Sequence, residues 1–233
     1  MEDFARYAVY YAPRAGSALA DFGNAWLGRD PASGEPTARP AAPGLSADRI
    51  AEITEAPARY GFHGTLKAPF ALAEGATRGD LETALAVLGA RLAPPVAPGG
   101  LALTAIGPFL ALTPQDGDGA LSALAARVVE DLDSYRAPPG AAELARRRRG
   151  DLNAAQEALL QRWGYPYVMG EFRFHLTLTG PLDPAARAAV ASALEPVVAP
   201  FGRTPFTLDA LCLFGDPGGG APFRLIRRVP LSG

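Results

Sequence analysis

His63-Gly64-Thr65-Leu66 and His175-Leu176-Thr177-Leu178 share one pattern, in which a histidine is followed two positions later by a threonine. They contain the only two histidines of the 233-residue chain. Because residues i and i+2 of a β-strand point to the same face, each stretch would present an imidazole and a hydroxyl side by side. This pairing predicts a site that combines acid/base catalysis with the binding of an anion.

The residues that flank the two motifs extend the same strand faces. Strict alternation places Arg173 on the face of His175 and buries the intervening phenylalanines and leucines. The same rule places Lys67 on the face of His63 and Thr65. A cation in each row suits a phosphate, so we expect Lys67 and Arg173 to contact the substrate. The alternative is that both are surface charges beside the sheet.

The composition is that of an ordinary globular protein, with 48% apolar residues, a net charge of −2 and a pI near 5.7. No apolar run approaches the ~18 to 20 residues that cross a bilayer, and the chain does not start like a secretory signal. We therefore expect a cytoplasmic protein with no membrane contact. The single cysteine, Cys212, predicts a buried core thiol. The weak net charge argues against long nucleic acid and favours a small phosphorylated substrate.

The predicted elements recur in one order around the two motifs. A strand at residues 6–12 and a helix at residues 17–27 come first. The first motif strand is followed by a helix (residues 80–92) and two short strands (101–106 and 109–112). The second is followed by a helix (184–194) and two strands (206–214 and 223–229). The two histidines stand about half the chain apart, so we infer a duplicated unit, residues 55–115 and 168–230, within one two-lobed domain, residues 1–233. Two such units would face each other across a cleft.

A helical segment, about residues 118–167, separates the two units and is broken at residues 136–140. It carries Arg136 and the four arginines of residues 146–149, among them Arg147. These helices either cap the core, with the arginines solvated, or form a lid on which Arg136 and Arg147 bind an anionic ligand such as a second phosphate. Tyr7 and Tyr167 are candidates for contact with a sugar, with burial in the core as the alternative.

Three longer phrases resemble a known family: Arg59-Tyr60-Gly61-Phe62-His63-Gly64-Thr65-Leu66-Lys67-Ala68-Pro69-Phe70, Trp163-Gly164-Tyr165-Pro166-Tyr167-Val168 and Phe172-Arg173-Phe174-His175-Leu176-Thr177-Leu178-Thr179. With the paired motifs, they resemble the two-histidine (2H) phosphoesterase superfamily of LigT-like proteins. That superfamily includes cyclic phosphodiesterases acting on RNA-derived and nucleotide substrates. The phrases are most similar to a branch encoded with phosphonate-utilisation genes, in which alanine is more frequent than glycine at position 64. The likeness runs from Tyr7 to about Gly180.

The resemblance implies an α+β fold of two lobes, whose antiparallel sheets face a central cleft with the helices outside. It also implies catalysis without a metal or other cofactor, with His63, Thr65, His175 and Thr177 as the catalytic residues. The sequence supports metal-independent chemistry separately, because two histidines without clustered carboxylates or cysteines are a poor ligand set.

Hydrolysis of a cyclic phosphodiester needs a base for water, an acid for the leaving alkoxide, and donors for the phosphoryl oxygens. His63 and His175 can supply the first two in either order, and the threonines the donors. We expect a phosphoric diester hydrolase acting on a small phosphorylated-sugar cyclic phosphate, by resemblance 5-phosphoribosyl 1,2-cyclic phosphate of phosphonate catabolism. The alternatives are a 2′,3′-cyclic phosphodiesterase acting on RNA ends or nucleotides and a non-catalytic module that binds a phosphoryl ligand. The sequence leaves the oligomeric state open.

Overall fold

The chain contains both helices and strands, which follow one another in short runs of one type. The computed structural model describes residues 4–233 without the side chain of Arg149, so that arginine of the predicted run lies outside the described side chains. In this part of the chain, the strands are β1 (Arg6–Tyr11), β2 (Gly64–Phe70), β3 (Val96–Ala97), β4 (Leu101–Ile106), β5 (Phe109–Pro114), β6 (Leu176–Thr177), β7 (Phe206–Thr207), β8 (Ala210–Asp216) and β9 (Arg224–Pro230). The helices are α1 (Ala18–Leu27), α2 (Ala47–Ala58), α3 (Arg78–Arg91), α4 (Gly119–Asp131), α5 (Ala141–Arg147), α6 (Ala154–Trp163) and α7 (Pro184–Val198).

The main sheet has seven antiparallel strands in the order β4-β5-β6-β2-β1-β8-β9. β3 and β7 pair separately as a two-stranded ribbon. This architecture confirms the predicted α+β class with antiparallel strands. The two halves of the main sheet meet at its centre through one residue pair, Gly64 of β2 with Leu176 of β6, so the two expected sheets are continuous.

Each half of the sheet takes strands from both predicted units. β6, from the second unit, pairs with β5 of the first, whereas β1 lies between β2 of the first unit and β8 of the second. Within each unit the elements follow the predicted order, β2-α3-β4-β5 and β6-α7-β8-β9, with β3 as a short addition. The single strand predicted at residues 206–214 is wrong, because β7 and β8 divide it between the two sheets. That the units arose by duplication stays a prediction.

The larger core lies on the face of the sheet that the helices cover. It joins buried residues of α1, α2, α3, α4 and α7 to strand residues such as Val9, Leu66 and Leu176. A smaller cluster on the other face comprises Ala8, Tyr10, Ala12, Ala210, Cys212, Phe214 and Phe223. Cys212 is fully buried there, and burial raises the pKa of its thiol to about 11, as expected of a core cysteine.

The helices differ from the prediction in two places. The helix expected at residues 141–163 is two helices, because Asp151 adopts a left-handed conformation with φ of 46°. Asn153 then begins α6, its side chain accepting a hydrogen bond from the Gln156 amide at 2.8 Å. α2 was not predicted; Ser46 caps its first turn. No helix in residues 4–233 is both long and apolar enough to cross a membrane.

Three long-range hydrogen bonds fix the segment around the second motif, of which only Leu176 and Thr177 form regular strand. The Phe174 amide donates to the Asp118 carboxylate at 2.7 Å. The Trp26 indole donates to the Leu178 carbonyl at 2.8 Å, and the Leu110 amide donates to the Thr179 hydroxyl at 3.0 Å. These bonds replace a regular strand ladder and hold the second motif beside the first.

Candidate active site

His63 lies immediately before β2, and its ring is fixed from three sides. Its Nδ1 donates a hydrogen bond to the Gly61 carbonyl at 2.8 Å. The ring packs against that of Tyr10 with centroids 4.0 Å apart, and the Tyr60 ring lies 5.9 Å away. Its Nε2 is 3.3 Å from the Thr65 hydroxyl. The imidazole is therefore held with Nε2 beside the threonine of its own motif.

His175 repeats this arrangement in the second motif. Its Nδ1 donates to the Arg173 carbonyl at 2.8 Å, and its ring lies 5.8 Å from that of Phe109. Each histidine thus bonds the carbonyl two residues before it. Because a carbonyl only accepts, Nδ1 carries the proton in both rings, and Nε2 is the atom left to accept or donate a proton in a reaction.

The two motifs are related by a local two-fold arrangement around the pair of Gly64 and Leu176. Continued in both directions, this antiparallel register sets His63 opposite Thr177 and Thr65 opposite His175. Cβ atoms directly opposite each other in such pairs are about 4.5 to 5.5 Å apart. The structure places His63, Thr65 and Thr177 on one cleft, and His175 lies close enough to lower the pKa of His63, although it is not among the residues that line this cleft.

Burial depresses the basicity of both histidines. It lowers the pKa of His63 to about 4; the hydrogen bond to the Gly61 carbonyl opposes this, and the proximity of His175 adds to it. Burial also lowers the pKa of His175, again opposed by its own Nδ1 bond. Both imidazoles are therefore neutral at neutral pH in the ligand-free protein. An anion beside them would raise both pKa values, because it favours the charged form.

The first motif and the threonine of the second line a cleft of about 530 Å³. Its wall contains four cations, Arg6, Arg59, Arg146 and Arg147, and among the described residues no carboxylate lines it. Two carboxylates behind the wall bond to these cations: Asp216 to Arg6 and Arg59, and Glu143 to Arg147. Four arginines against two carboxylates give the cleft a positive potential that favours an anionic ligand.

Among the described arginine side chains of the predicted run, Arg147 has the most hydrogen bonds to the cleft wall and its support. Its side chain is 11% exposed, and it donates to Glu143 at 2.6 Å and to the Pro69 carbonyl at 3.2 Å. Its guanidinium lies 4.8 Å from the centre of the Tyr165 ring. Arg148 instead pairs with Glu157 outside the cleft. Arg147 is thus a residue of the cleft wall, and its role as a ligand remains a proposal.

Lys67 does not lie on the cleft with His63, which corrects the expectation from strict alternation. Its ammonium donates to the Val129 carbonyl at 3.1 Å and to Asp133 at 3.4 Å, and the residue is 3% exposed. The register of β2 against β1 shifts twice, and both shifts flank the pairing of Lys67 with Val9. These irregularities break the two-residue period, so the lysine turns towards α4.

Arg136 is likewise a structural cation rather than a cleft residue. It donates to Asp133 at 2.8 Å and to the carbonyls of Ala137 and Arg162. It therefore ties the start of the 136–140 break to the end of α6.

The two predicted tyrosines and Arg173 also stand away from the cleft wall. Tyr7 is 4% exposed and belongs to the larger core. Tyr167 is 44% exposed and makes an edge contact with Tyr165, 5.7 Å between ring centroids. Arg173 is exposed and contributes its backbone carbonyl to His175. The cleft instead takes Tyr165 from the phrase that contains Tyr167.

Tyr10, Tyr60, Arg6 and Arg59 line the cleft and were not predicted. Alternation in β1 separates Tyr10 from Tyr7 and could have indicated it. Arg59 and Tyr60 stand just before the first motif. Arg6 gave no local signal, because its partner Asp216 lies on β8, at the other end of the sequence.

Residues 65–224 match the profile of a protein family described as Protein of unknown function (DUF1045), which is more than half of the chain. The chain belongs to this family. The DUF1045 match includes Thr65, His175 and Thr177 and begins two residues after His63.

Two curated relatives cover the whole length of this DUF1045 chain or nearly so, and both are named ribose 1,5-bisphosphate phosphokinase PhnN. The protein of Janthinobacterium sp. (strain Marseille) is 40% identical over 237 residues, which are 100% of this chain and 52% of the relative. The protein of Laribacter hongkongensis (strain HLHK9) is 41% identical over 228 residues, 96% of this chain and 51% of the relative. The chain therefore spans about half the length of these relatives.

Proposed function

We propose that this protein is a metal-independent cyclic phosphodiesterase of the two-histidine type, acting on a small phosphorylated-sugar cyclic phosphate. The observation that carries the proposal is that His63 and His175 have the same hydrogen bonding and the same threonine two residues later. Both bind a backbone carbonyl through Nδ1 at 2.8 Å, both keep Nε2 for chemistry, and both are followed by a threonine beside a cleft lined with arginines. Two such imidazoles suit a displacement at phosphorus, which needs one proton acceptor and one proton donor.

In this proposal, His63 is the base and His175 the acid. The pKa of His63, lowered to about 4, keeps its Nε2 unprotonated. The pKa of His175 is also lowered by burial, but a bound anion raises it and so favours the protonated imidazolium. Nε2 of His63 takes a proton from water as the water oxygen bonds to phosphorus. The bond from phosphorus to a sugar oxygen breaks, and His175 gives that oxygen its proton. Exchange with solvent then restores both rings.

Thr65 and Thr177 would donate their hydroxyl hydrogens to the two non-bridging phosphoryl oxygens. Their placement on both strands, one beside each imidazole, matches the two oxygens that need donors in the transition state.

The name of the relatives supports a phosphorylated ribose as substrate. Ribose 1,5-bisphosphate would be the product if 5-phosphoribosyl 1,2-cyclic phosphate were opened at the bond between phosphorus and O2. This is the reaction that we propose, in phosphonate catabolism as the sequence resemblance implies.

The kinase activity in that name belongs to proteins about twice as long as this chain. The only lysine here, Lys67, stands in Thr65-Leu66-Lys67-Ala68, outside the Gly-Lys-Ser/Thr context of a phosphate-binding loop. It is also buried against Asp133. We therefore propose that the matched half contributes the phosphodiesterase step and not the kinase step.

A panel of cyclic phosphates tests the proposal, with EDTA present and products followed by ³¹P NMR. The panel contains 5-phosphoribosyl 1,2-cyclic phosphate, a 2′,3′-cyclic nucleotide and an RNA ending in a 2′,3′-cyclic phosphate. We expect the first to be hydrolysed fastest. His63→Ala and His175→Ala should each lower kcat by ~10² to 10⁴, and the double variant should be little worse than either.

Each other outcome has a definite meaning. Preferred hydrolysis of the nucleotide or RNA would support the alternative substrate class. Binding without turnover of any compound would make the protein a phosphoryl-binding module, and near-full activity in either single variant would remove the acid/base assignment.

A further inference from the structure

Arg6 and Arg59 form a second cationic position in the cleft, with Asp216 between them. Asp216 is 1% exposed. Its Oδ2 accepts from Arg6 Nε at 3.0 Å, and its Oδ1 accepts from Arg59 Nη2 at 3.4 Å and from the Gly218 amide at 3.0 Å. Arg6 stands directly opposite Asp216 in the pairing of β1 with β8. The carboxylate thus holds two guanidinium groups side by side before any ligand arrives.

Both guanidinium groups keep donors for a ligand. Arg6 uses Nε and Nη2, and Arg59 uses Nη2 and, towards the Ala221 carbonyl, Nε. Within the described part of the chain, neither Nη1 has a hydrogen-bond partner. The two side chains are 25% and 32% exposed, so water or a ligand reaches them. Arg147 also uses only Nε and Nη2, towards Glu143 and the Pro69 carbonyl, but its side chain is less exposed, at 11%.

Tyr60 connects this position to the histidines. The Arg59 guanidinium carbon lies 5.7 Å from the centre of the Tyr60 ring, and the centre of the His63 ring lies 5.9 Å from the same point. A sugar lying along Tyr60, with a phosphate at each end, would therefore meet an imidazole at one end and two arginines at the other.

The charges balance for such a ligand. The four cleft arginines and the carboxylates of Asp216 and Glu143 leave two positive charges. One protonated histidine adds a third. A cyclic phosphodiester carries one negative charge and a phosphate monoester up to about two at neutral pH.

We propose that Arg6 and Arg59 bind a phosphate monoester at the end of the substrate remote from the cyclic phosphate. This inference rests on the proposed function, and it assigns substrate selectivity to residues other than those that perform the chemistry. Asp216 is a positioning residue in this proposal, because it orients both guanidinium groups without reaching the ligand.

Ribose 1,2-cyclic phosphate, with and without a 5-phosphate, provides the test. Arg59→Met and Arg6→Met should each raise KM for the phosphorylated member by a factor about 10- to 100-fold greater than for the other member. Arg6→Lys should lose less than Arg6→Met, since it keeps the charge. Arg148→Met is the matched control, because Arg148 pairs with Glu157 outside the cleft, and it should behave like wild type. Equal losses on both substrates would overturn the proposal.

A binding experiment separates failure of this inference from failure of the proposed reaction. Calorimetry on the His63→Ala protein compares ribose 1,5-bisphosphate with ribose 1-phosphate, and it needs no turnover. Tighter binding of the bisphosphate that Arg59→Met abolishes would support the site even if no cyclic phosphate is hydrolysed. Equal affinities of the His63→Ala protein for the two sugars, together with hydrolysis of cyclic phosphates by the wild type, would refute the site and leave the reaction intact.

Discussion

Replacing His63 by glutamine should make the folded protein less sensitive to acid. Burial lowers the pKa of His63 to about 4, whereas in an unfolded chain it is near 6.5. Between pH 6.5 and pH 4, His63 is therefore protonated in the unfolded state but not in the folded state. The stability that comes from the neutral His63 is fully present above pH 6.5 and is lost as the pH falls towards 4. Between pH 7 and pH 5 the loss is about 2 kcal/mol of unfolding free energy. The His63→Gln variant lacks this titrating group. Its unfolding free energy should therefore fall by about 2 kcal/mol less than that of the wild type between pH 7 and pH 5.

Urea unfolding of both proteins at pH 7, 6 and 5 measures this difference directly. Carboxylates contribute equally to both curves, so their effects cancel. His175→Gln is a second test of the same reasoning, because the lowered pKa of His175 predicts a difference of the same sign. Identical pH dependence in wild type and His63→Gln would refute the reasoning.

NMR provides an independent reading of the same quantity. Because the chain has two histidines, the imidazole C–H spectrum contains two sets of signals, and each glutamine variant assigns the other. The His63 signal should titrate well below 6.5 in the free protein and move upward when inorganic phosphate is added. A His63 pKa near 6.5 without ligand would show that the ring is solvated.

Three further predictions follow from the described contacts. Turnover should survive exhaustive chelation, and loss of activity that one added metal restores would contradict this. A Cβ at Gly64 would lie 2.7 Å from the Phe174 ring, so Gly64→Ala should lower the unfolding free energy by about 1 to 3 kcal/mol in urea titrations, unless the ring yields and stability is unchanged. Lys67→Met removes the bonds to Val129 and Asp133 and should cost about 1 to 3 kcal/mol of stability with little effect on kcat; the reverse pattern would return Lys67 to the catalytic cleft.

The parts of the fold that sequence patterns predicted are those fixed by local periodicity and end signals. The helix predicted at residues 17–27 is α1, which begins one residue later because the Ser17 side chain caps it and ends at Gly28 in a left-handed conformation with φ of 75°. The two histidine motifs were equally local, because each needs only three consecutive residues to place its imidazole and hydroxyl together.

Lys67 shows where this reasoning fails. The two-residue period holds only while a strand is regular, and the register shifts of β2 depend on how β1 packs beside it. No residue within the motif predicts these register shifts. α2 was missed for another reason: its apolar positions Ile50 and Ile53 follow a loop rich in proline and glycine and precede Pro57 within the helix.

The arginine pair of the cleft depends on long-range contacts. Arg6 and Arg59 are ordinary surface cations by their neighbours in sequence. Their orientation comes from Asp216, which β8 places next to β1. Only the topology of the sheet brings these residues together.

The interleaving of strands across the sheet has a consequence for how the protein is made. Of the nine described strands, β1 is synthesised before the others, whereas one of its two neighbours, β8, is synthesised after seven of them. Until then β1 has an open edge, and Asp216 has not yet reached Arg6. The cleft can therefore close only after residues 210–216 have emerged, and folding should be slow, because these contacts join segments that are distant in sequence. A nascent fragment that ends before β8 would contain both histidines and still lack the wall that fixes Arg6 and Arg59.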